Sequence, residues 1–221
     1  MAFSEKTASV YDSWFETKAG MFADKREKAL IKSALRGIKT TVLEAGSGTG
    51  RYLEFLSELG LDAKGIEISP DMVKIADSKE KIRGKTLEGN AESLPFKDNE
   101  FEAVLFMTSL EFISDKKAAV KEALRVAEKK VIICFLNKYG NTNKKRAGLN
   151  KESYENAVFL SAKDIKELFD KNIKMRPVKY ALYSEVDRAY KCPLFEKAAC
   201  FFNFPLGNFG VMEIVLTENH Q

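Results

Sequence analysis

The sequence predicts an α/β protein built on a mostly parallel sheet with helices on both faces, and three observations carry that prediction. Between residues 41 and 136 short apolar runs alternate with stretches of helical periodicity, the pattern of a sheet whose strands are joined by crossover helices. The first run, Val42-Leu43-Glu44-Ala45, breaks into glycines at alternate positions, Gly46, Gly48 and Gly50, before helical spacing resumes. An acid, Glu67, stands 21 residues beyond Gly46 at the end of the second run. A strand, a glycine-rich turn and a helix whose free N–H groups point back at the turn make a nucleotide-type cofactor site.

Taken in order, residues 5–36 read as helical, with Tyr11, Trp14 and Phe15 early and Phe22, Leu30 and Leu35 beyond. A strand is expected near 41–46 and a helix near 49–59, where Leu53, Leu56 and Leu59 share one face. The second strand, near 63–68, ends in Glu67. Ser69 and Pro70 then open a helix over 70–79, because serine caps a helix and proline suits its first turn. Strands near 85–89, 101–107 and 130–136 and a helix near 116–127 complete the alternation. The run Val131-Ile132-Ile133-Cys134-Phe135-Leu136 is apolar throughout, so this strand is buried on both faces and Cys134 is a core residue. A polar stretch from Asn137 to Arg146 interrupts the pattern, and its Lys144-Lys145-Arg146 cluster reads as a solvated loop. A helix over 161–171 with Ser161 as cap, then strands near 174–184 and 209–217, close the chain. No repeat or second domain is apparent. The chain is one domain, 1–221, with a helical part at 1–36, a core at 40–137 and a remainder at 138–221.

Composition agrees. A chain of 221 residues that is 45% hydrophobic can build one sizeable core and is not expected to be disordered. No apolar run approaches the ~20 residues of a membrane span, and the N-terminus lacks a secretory pattern. A cytoplasmic setting follows as the expectation. The net charge of +4 is spread through mixed Lys and Glu runs and demands no nucleic-acid partner. Cys134, Cys192 and Cys200 are odd in number and form no C-x-x-C pair, so free thiols and no metal site are expected. A functional thiol pair of Cys192 with Cys200 is the lesser alternative. Oligomeric state is left open.

Spacing narrows the cofactor. The dinucleotide fingerprint is G-x-G-x-x-G, whereas here the order is G-x-G-x-G and Arg51 falls where the third dinucleotide glycine belongs. A phosphate-binding Walker loop needs G-K-[ST], and no lysine follows these glycines.

Four segments together resemble the class I S-adenosylmethionine-dependent methyltransferases, in particular the small-molecule, type 11 or ubiquinone-biosynthesis-like branch. Glu44-Ala45-Gly46-Ser47-Gly48-Thr49-Gly50 is similar to that family's first motif and Gly65-Ile66-Glu67-Ile68-Ser69 to its ribose-binding strand end. Gly89-Asn90-Ala91-Glu92-Ser93-Leu94-Pro95-Phe96 resembles the adenine-side segment, and Asn99-Glu100-Phe101-Glu102-Ala103-Val104 the strand after it. Asn90 departs from the pattern, standing where the family often has Asp; an amide oxygen can still meet the adenine amino group.

The resemblance implies a Rossmann-like, seven-stranded, mostly parallel sheet in the order 3-2-1-4-5-7-6 with strand 7 antiparallel, and an N-terminal helical lid. It implies S-adenosyl-L-methionine as cofactor, S-adenosyl-L-homocysteine as product, and methyl transfer to a small-molecule acceptor. RNA methylation and a non-catalytic cofactor-binding protein are the rival readings. Cofactor contacts then fall on Tyr11 and Trp14 in the lid, and on Glu44, Gly46, Ser47, Gly48 and Gly50 at the first turn. They continue through Glu67, Ile68 and Met72, then Asn90, Ala91 and Glu92, with Met107 and Thr108 flanking the methyl group. Glu67 would hold the ribose, Asn90 and Ala91 the adenine, and Glu44 with the glycines the amino-acid end.

Buried in an apolar strand, Glu44 needs a partner. Glu111 either orients an acceptor or is solvated. No catalytic residue is assigned, and His220, the sole histidine, lies too near the C-terminus to serve as a base. Tyr180, Tyr183, Tyr190, Phe195, Phe201, Phe202, Phe204 and Phe209 crowd a loop-rich stretch and suggest an apolar acceptor pocket within 185–208.

Overall fold

A computed structural model describes residues 12–140, 142–143, 157–183 and 193–216. Tyr11, Lys144-Lys145-Arg146, Tyr190, Cys192, His220 and the side chain of Phe195 lie outside the described residues. The predicted alternation is present: β1 (Thr41–Ala45), α2 (Arg51–Glu58), β2 (Asp62–Glu67), α3 (Pro70–Ser78), β3 (Thr86–Glu88), β4 (Phe101–Met107), α4 (Lys116–Val126) and β5 (Ala127–Leu136), preceded by α1 (Lys18–Ala34). Ser69 caps α3 with Pro70 in its first turn, as expected.

Beyond β5 the chain adds α5 (Ala162–Lys166), β6 (Lys174–Met175), β7 (Lys179–Ala181), α6 (Pro193–Phe202) and β8 (Phe209–Val215). The sheet runs β3-β2-β1-β4-β5-β8-β6, with β7 also on β8. The pairs from β3 to β5 are parallel, and β8 is antiparallel to β5 over seven residue pairs.

Three boundaries differ from expectation. The strand expected over 174–184 is two short strands, both antiparallel to β8. Between them stands Pro177, which has no N–H to donate to a ladder. The helix at 161–171 is regular only to Lys166. Leu168 and Phe169 donate to Ile165 and Lys166, three residues back, which tightens the last turn. A helix, α6, occupies a stretch read as loop. Pro193 there is a first-turn proline and not a loop marker.

The described part of the N-terminal helical stretch, from Asp12 on, holds two segments. A 3-10 turn at Asp12–Glu16 ends where Thr17 caps α1, its side chain accepting from Gly20 N at 2.9 Å. Gly20 is required there, since a Cβ would stand 2.1 Å from the Trp14 carbonyl oxygen.

Alternation along the central strands sends side chains into two cores. Val104, Phe106, Val131, Ile133 and Phe135 join one cluster with Ile165 and Met212; Ala103, Leu105, Met107, Ile132 and Cys134 join the other with Ile31, Leu53 and Leu56. Both faces are therefore covered, and Cys134 is a free, buried core thiol.

One buried charge ties the first helix to the last strand. Lys130 Nζ, on β5, donates to the Ala34 and Arg36 carbonyls at 2.8 Å each and lies 3.3 Å from Glu213 Oε2 on β8. Arg176 reaches the same oxygen at 3.1 Å. A buried ammonium needs such a set of acceptors, and two of them are carbonyls at and just past the C-terminal end of α1.

Candidate functional site

The carboxyl ends of β1, β2 and β4 meet at the glycine turn. Gly46, Gly48 and Gly50 have φ of +76°, +54° and +76°, the left-handed region that favours glycine. Their surroundings separate their roles. A Cβ on Gly46 would lie 2.5 Å from Ser109 Cβ, and one on Gly50 would lie 2.3 Å from Ile82 Cδ1. Around Gly48 no atom would come within 4 Å. Gly46 and Gly50 thus let protein pack against the turn, while Gly48 presents bare backbone to open space.

Glu67 binds this turn to its own strand end. Its Oε2 accepts from Gly48 N and its Oε1 from Ser69 N, both at 2.9 Å, and the residue is 7% exposed. Beside it on β1, Glu44 is 2% exposed and its Oε2 has no hydrogen-bond partner. Burial pushes the Glu44 carboxyl well above the usual carboxylate range; Glu67 adds to the rise and Lys79 opposes it. A buried acid with a bare oxygen, beside a turn left open at Gly48, fits a ligand that brings an ammonium group.

The remaining expected contacts divide. Ile68, 48% exposed, offers an apolar face beside Glu67, and Met72 is buried beneath it at the start of α3. Ala91 is buried and Asn90 exposed; Asn90 Oδ1 accepts from Glu92 N at 2.9 Å and closes the turn around Ala91. Glu92 Oε1 in turn accepts from Asp115 N at 2.9 Å, so this acid fastens the turn to the start of α4. Ser47 points inward: its buried Oγ lies against Gly65, and its N–H is taken by the Ile66 carbonyl at 3.1 Å. At the end of β4, Met107 is 8% exposed and Thr108 has φ +48°. Ser109 Oγ closes that loop on the Ala45 carbonyl at 2.5 Å.

The N-terminal segment docks on this turn through residues that spacing alone did not single out. Thr49 Oγ1 donates to Asp12 Oδ1 at 2.8 Å, and Lys79 Nζ lies 2.7 Å from Asp12 Oδ2. Arg51, first residue of α2, reaches both Asp24 oxygens at 3.2 and 3.0 Å and stacks 4.1 Å above the Phe15 ring centroid. Trp14 sets its ring edge-on to Phe15 at 4.9 Å and is 38% exposed. Contacts between residues this far apart follow no period, so the sequence carried no signal for them.

Glu111, in the loop after β4, is not solvated. It is 1% exposed, its Oε1 accepts from Leu136 N at 2.6 Å, and its Oε2 has no partner. Burial raises its carboxyl to about 7, against the opposing pull of the Leu136 N–H and of Lys116. The aromatics of the final third also divide: Tyr180, Tyr183 and Phe209 are core, while Phe201, Phe202 and Phe204 face outward. Those three do not line an internal acceptor pocket.

Comparison with known proteins agrees with this geometry. Residues 43–135 match the family described as a methyltransferase domain. An uncharacterized protein of Methanocaldococcus jannaschii is 34% identical over 211 residues, covering 87% of this chain and 91% of that one. A demethylmenaquinone methyltransferase of Renibacterium salmoninarum is 30% identical over 47% of this chain and 44% of its own length, so that likeness spans under half of the named relative. A Thermotoga maritima crystal structure, titled a SAM-dependent methyltransferase and possible histamine N-methyltransferase, superposes with a TM-score of 0.74 at 25% identity, covering 96% of this chain and 98% of that one. Among the described residues no helix is long and apolar enough to cross a membrane.

Proposed function

The chain belongs to the class I S-adenosylmethionine-dependent methyltransferases, and from that premise we propose that it methylates a small molecule at the carboxyl ends of β1 and β4. S-adenosylmethionine supplies an electrophilic methyl group on a sulfonium whose thioether leaves readily, so the protein's part is alignment and exclusion of water. Glu44 and the open backbone at Gly48 hold the amino-acid end. Glu67 holds the ribose hydroxyls while keeping the turn in place through Gly48 N and Ser69 N. Ile68 packs on the adenine, Asn90 and Ala91 read its edge, and Met107 and Thr108 border the methyl group. Tyr11 and Trp14 belong to the lid that closes over them. No side chain is assigned as a base, which suits an acceptor that is already nucleophilic.

The observation that carries the small-molecule reading is the lid. Asp12 and Phe15 pin the N-terminal segment to the glycine turn at Thr49, Lys79 and Arg51, so a segment of this chain covers the turn, an arrangement that supports a metabolite as acceptor over a helix of RNA. Surface lysines support the same reading, since among the described residues Lys64, Lys81, Lys85 and Lys163 each face an acid. Named relatives are a norajmaline N-methyltransferase and a demethylmenaquinone methyltransferase, both acting by name on small molecules. The test is transfer of a radiolabelled methyl group into fractionated cell extract. Label in the low-molecular-weight fraction supports the proposal, and label retained in RNA or protein overturns it.

A further inference from the structure

Helix α6 is inside out. Its buried side carries the Glu196 carboxylate, 0% exposed, which accepts Leu182 N–H at 2.5 Å and Tyr183 N–H at 3.0 Å and so clasps the end of β7. Its outer side carries Leu194, Ala198, Phe201 and Phe202, all exposed. Leu194 is 77% exposed, Phe201 84% and Phe202 66%, and the patch continues through Phe204 at 53% and Leu206 at 51%. Ring centroids 5.4 Å apart for Phe201 and Phe202, and 5.9 Å for Phe202 and Phe204, make it continuous. Three phenylalanines and two leucines at these exposures present on the order of 600 Å² of apolar surface, the upper end of what a monomer leaves in water.

The stripe from Leu194 through Ala198 to Phe201 steps by four and then three residues, large, small, large. That order is complementary to itself about a two-fold axis through Ala198. Leu194 of one copy would then meet Phe201 of the partner subunit, and the small alanine lets two helices approach. We propose that α6 is the contact face of a homodimer. Doubling the patch gives roughly 1,200 Å², the lower bound of specific, stable interfaces, so the association is concentration-dependent. The surrounding charges favour a second copy over a lipid surface. Among the described residues, Lys163, which lines the cleft beside Leu206, faces Glu167 at 3.8 Å, and Lys138 faces Asp164 at 3.9 Å, so these two lysines are already paired with acids and offer little to anionic headgroups.

Sedimentation velocity of the full chain across 1–100 µM tests this. The expected result is a shift from the 24.9 kDa monomer to twice that mass. Phe201→Ser and Ala198→Glu should each raise the dissociation constant at least tenfold with an unchanged melting temperature, since both side chains are exposed; Lys163→Ala should leave association unaltered. A monomer throughout, or a dimer that survives both substitutions, overturns the proposal. So does a monomer that instead co-sediments with phosphatidylcholine–phosphatidylglycerol vesicles in an α6-dependent way.

Discussion

Glu67 raises the proton affinity of Glu44 from the neighbouring strand, adding to the larger effect of burial. Two carboxyl groups at one strand end cannot both ionise cheaply, and Glu67 is the one held by two backbone N–H groups. Glu44 is therefore shifted toward its protonated form in the cofactor-free protein. An arriving ammonium opposes that shift, so binding of S-adenosylmethionine should release protons. Calorimetry in buffers of different ionisation enthalpy measures it. Glu44→Gln should abolish the buffer dependence and weaken binding about tenfold or more. A wild-type enthalpy independent of buffer would remove Glu44 from the amino-group site.

Glu67 has two jobs, and two substitutions separate them. Glu67→Gln keeps a carbonyl acceptor for one N–H, so the fold should persist while cofactor affinity falls about tenfold through loss of charge-assisted bonds to hydroxyls. Glu67→Ala strands both Gly48 N–H and Ser69 N–H and should also destabilise the protein by about 1–3 kcal/mol. Titration calorimetry and thermal melting read the two effects apart. Unchanged affinity in both variants would exclude Glu67 from ribose binding.

The three glycines should respond differently to alanine. Gly46→Ala and Gly50→Ala drive a Cβ into Ser109 and Ile82 and should lower stability first. Gly48→Ala meets no atom, so its stability loss is limited to left-handed backbone strain of ~1 kcal/mol. It should nonetheless lose cofactor affinity at least tenfold. Melting curves with and without S-adenosylhomocysteine distinguish the cases; equal ligand stabilisation of Gly48→Ala and wild type would contradict the role given to Gly48.

Trp14 reports on the lid. It is the only tryptophan and packs on Phe15, which Arg51 covers. S-adenosylhomocysteine should shift its emission. Asp12→Ala, which removes the anchor to Thr49 and Lys79, should speed cofactor release about threefold to tenfold in stopped flow. Silent fluorescence together with an unchanged release rate would assign residues 12–16 to packing alone.

Glu111 makes stability fall as pH rises. Its carboxyl is raised to about 7 in the fold from an ordinary value of 4.5, so the folded state holds the proton more tightly than the unfolded chain does. The stabilisation is complete below about pH 4.5 and is lost as pH climbs through about 7. The lost amount is about 3 kcal/mol, from a rise of roughly two and a half units. Glu111→Gln keeps an acceptor for Leu136 N–H and does not ionise. It should match wild type near pH 5 and exceed it near pH 8, by denaturant unfolding. A constant difference across that range would refute the assignment.

Much of this was legible in the sequence where period or spacing carries it. The apolar runs of β4 and β5, the Ser69–Pro70 start of α3 and the interval from Gly46 to Glu67 are local patterns, and local patterns survive into structure. Helix α6 was missed because its apolar stripe faces water while Glu196 faces the protein, the reverse of the usual rule. Pro177 divides a strand that residue preference alone runs together. Asp12 with Thr49, and Arg51 with Phe15, pair residues tens of positions apart, and a single sequence gives no signal for such pairs.

Lys130 sets an order of assembly during synthesis. Its ammonium is satisfied by the Ala34 and Arg36 carbonyls at the end of α1, made early, and by Glu213 on β8, made nearly 180 residues after α1 ends. Until β8 leaves the ribosome, that charge lacks its carboxylate partner and the long outer edge of β5 has no neighbour. A nascent chain halted before residue 209 therefore presents a bare apolar strand edge, Val131 to Leu136, to any chaperone or to another nascent chain. The central sheet closes only when the last strand slides in beside it, so the parallel core waits on an antiparallel finish.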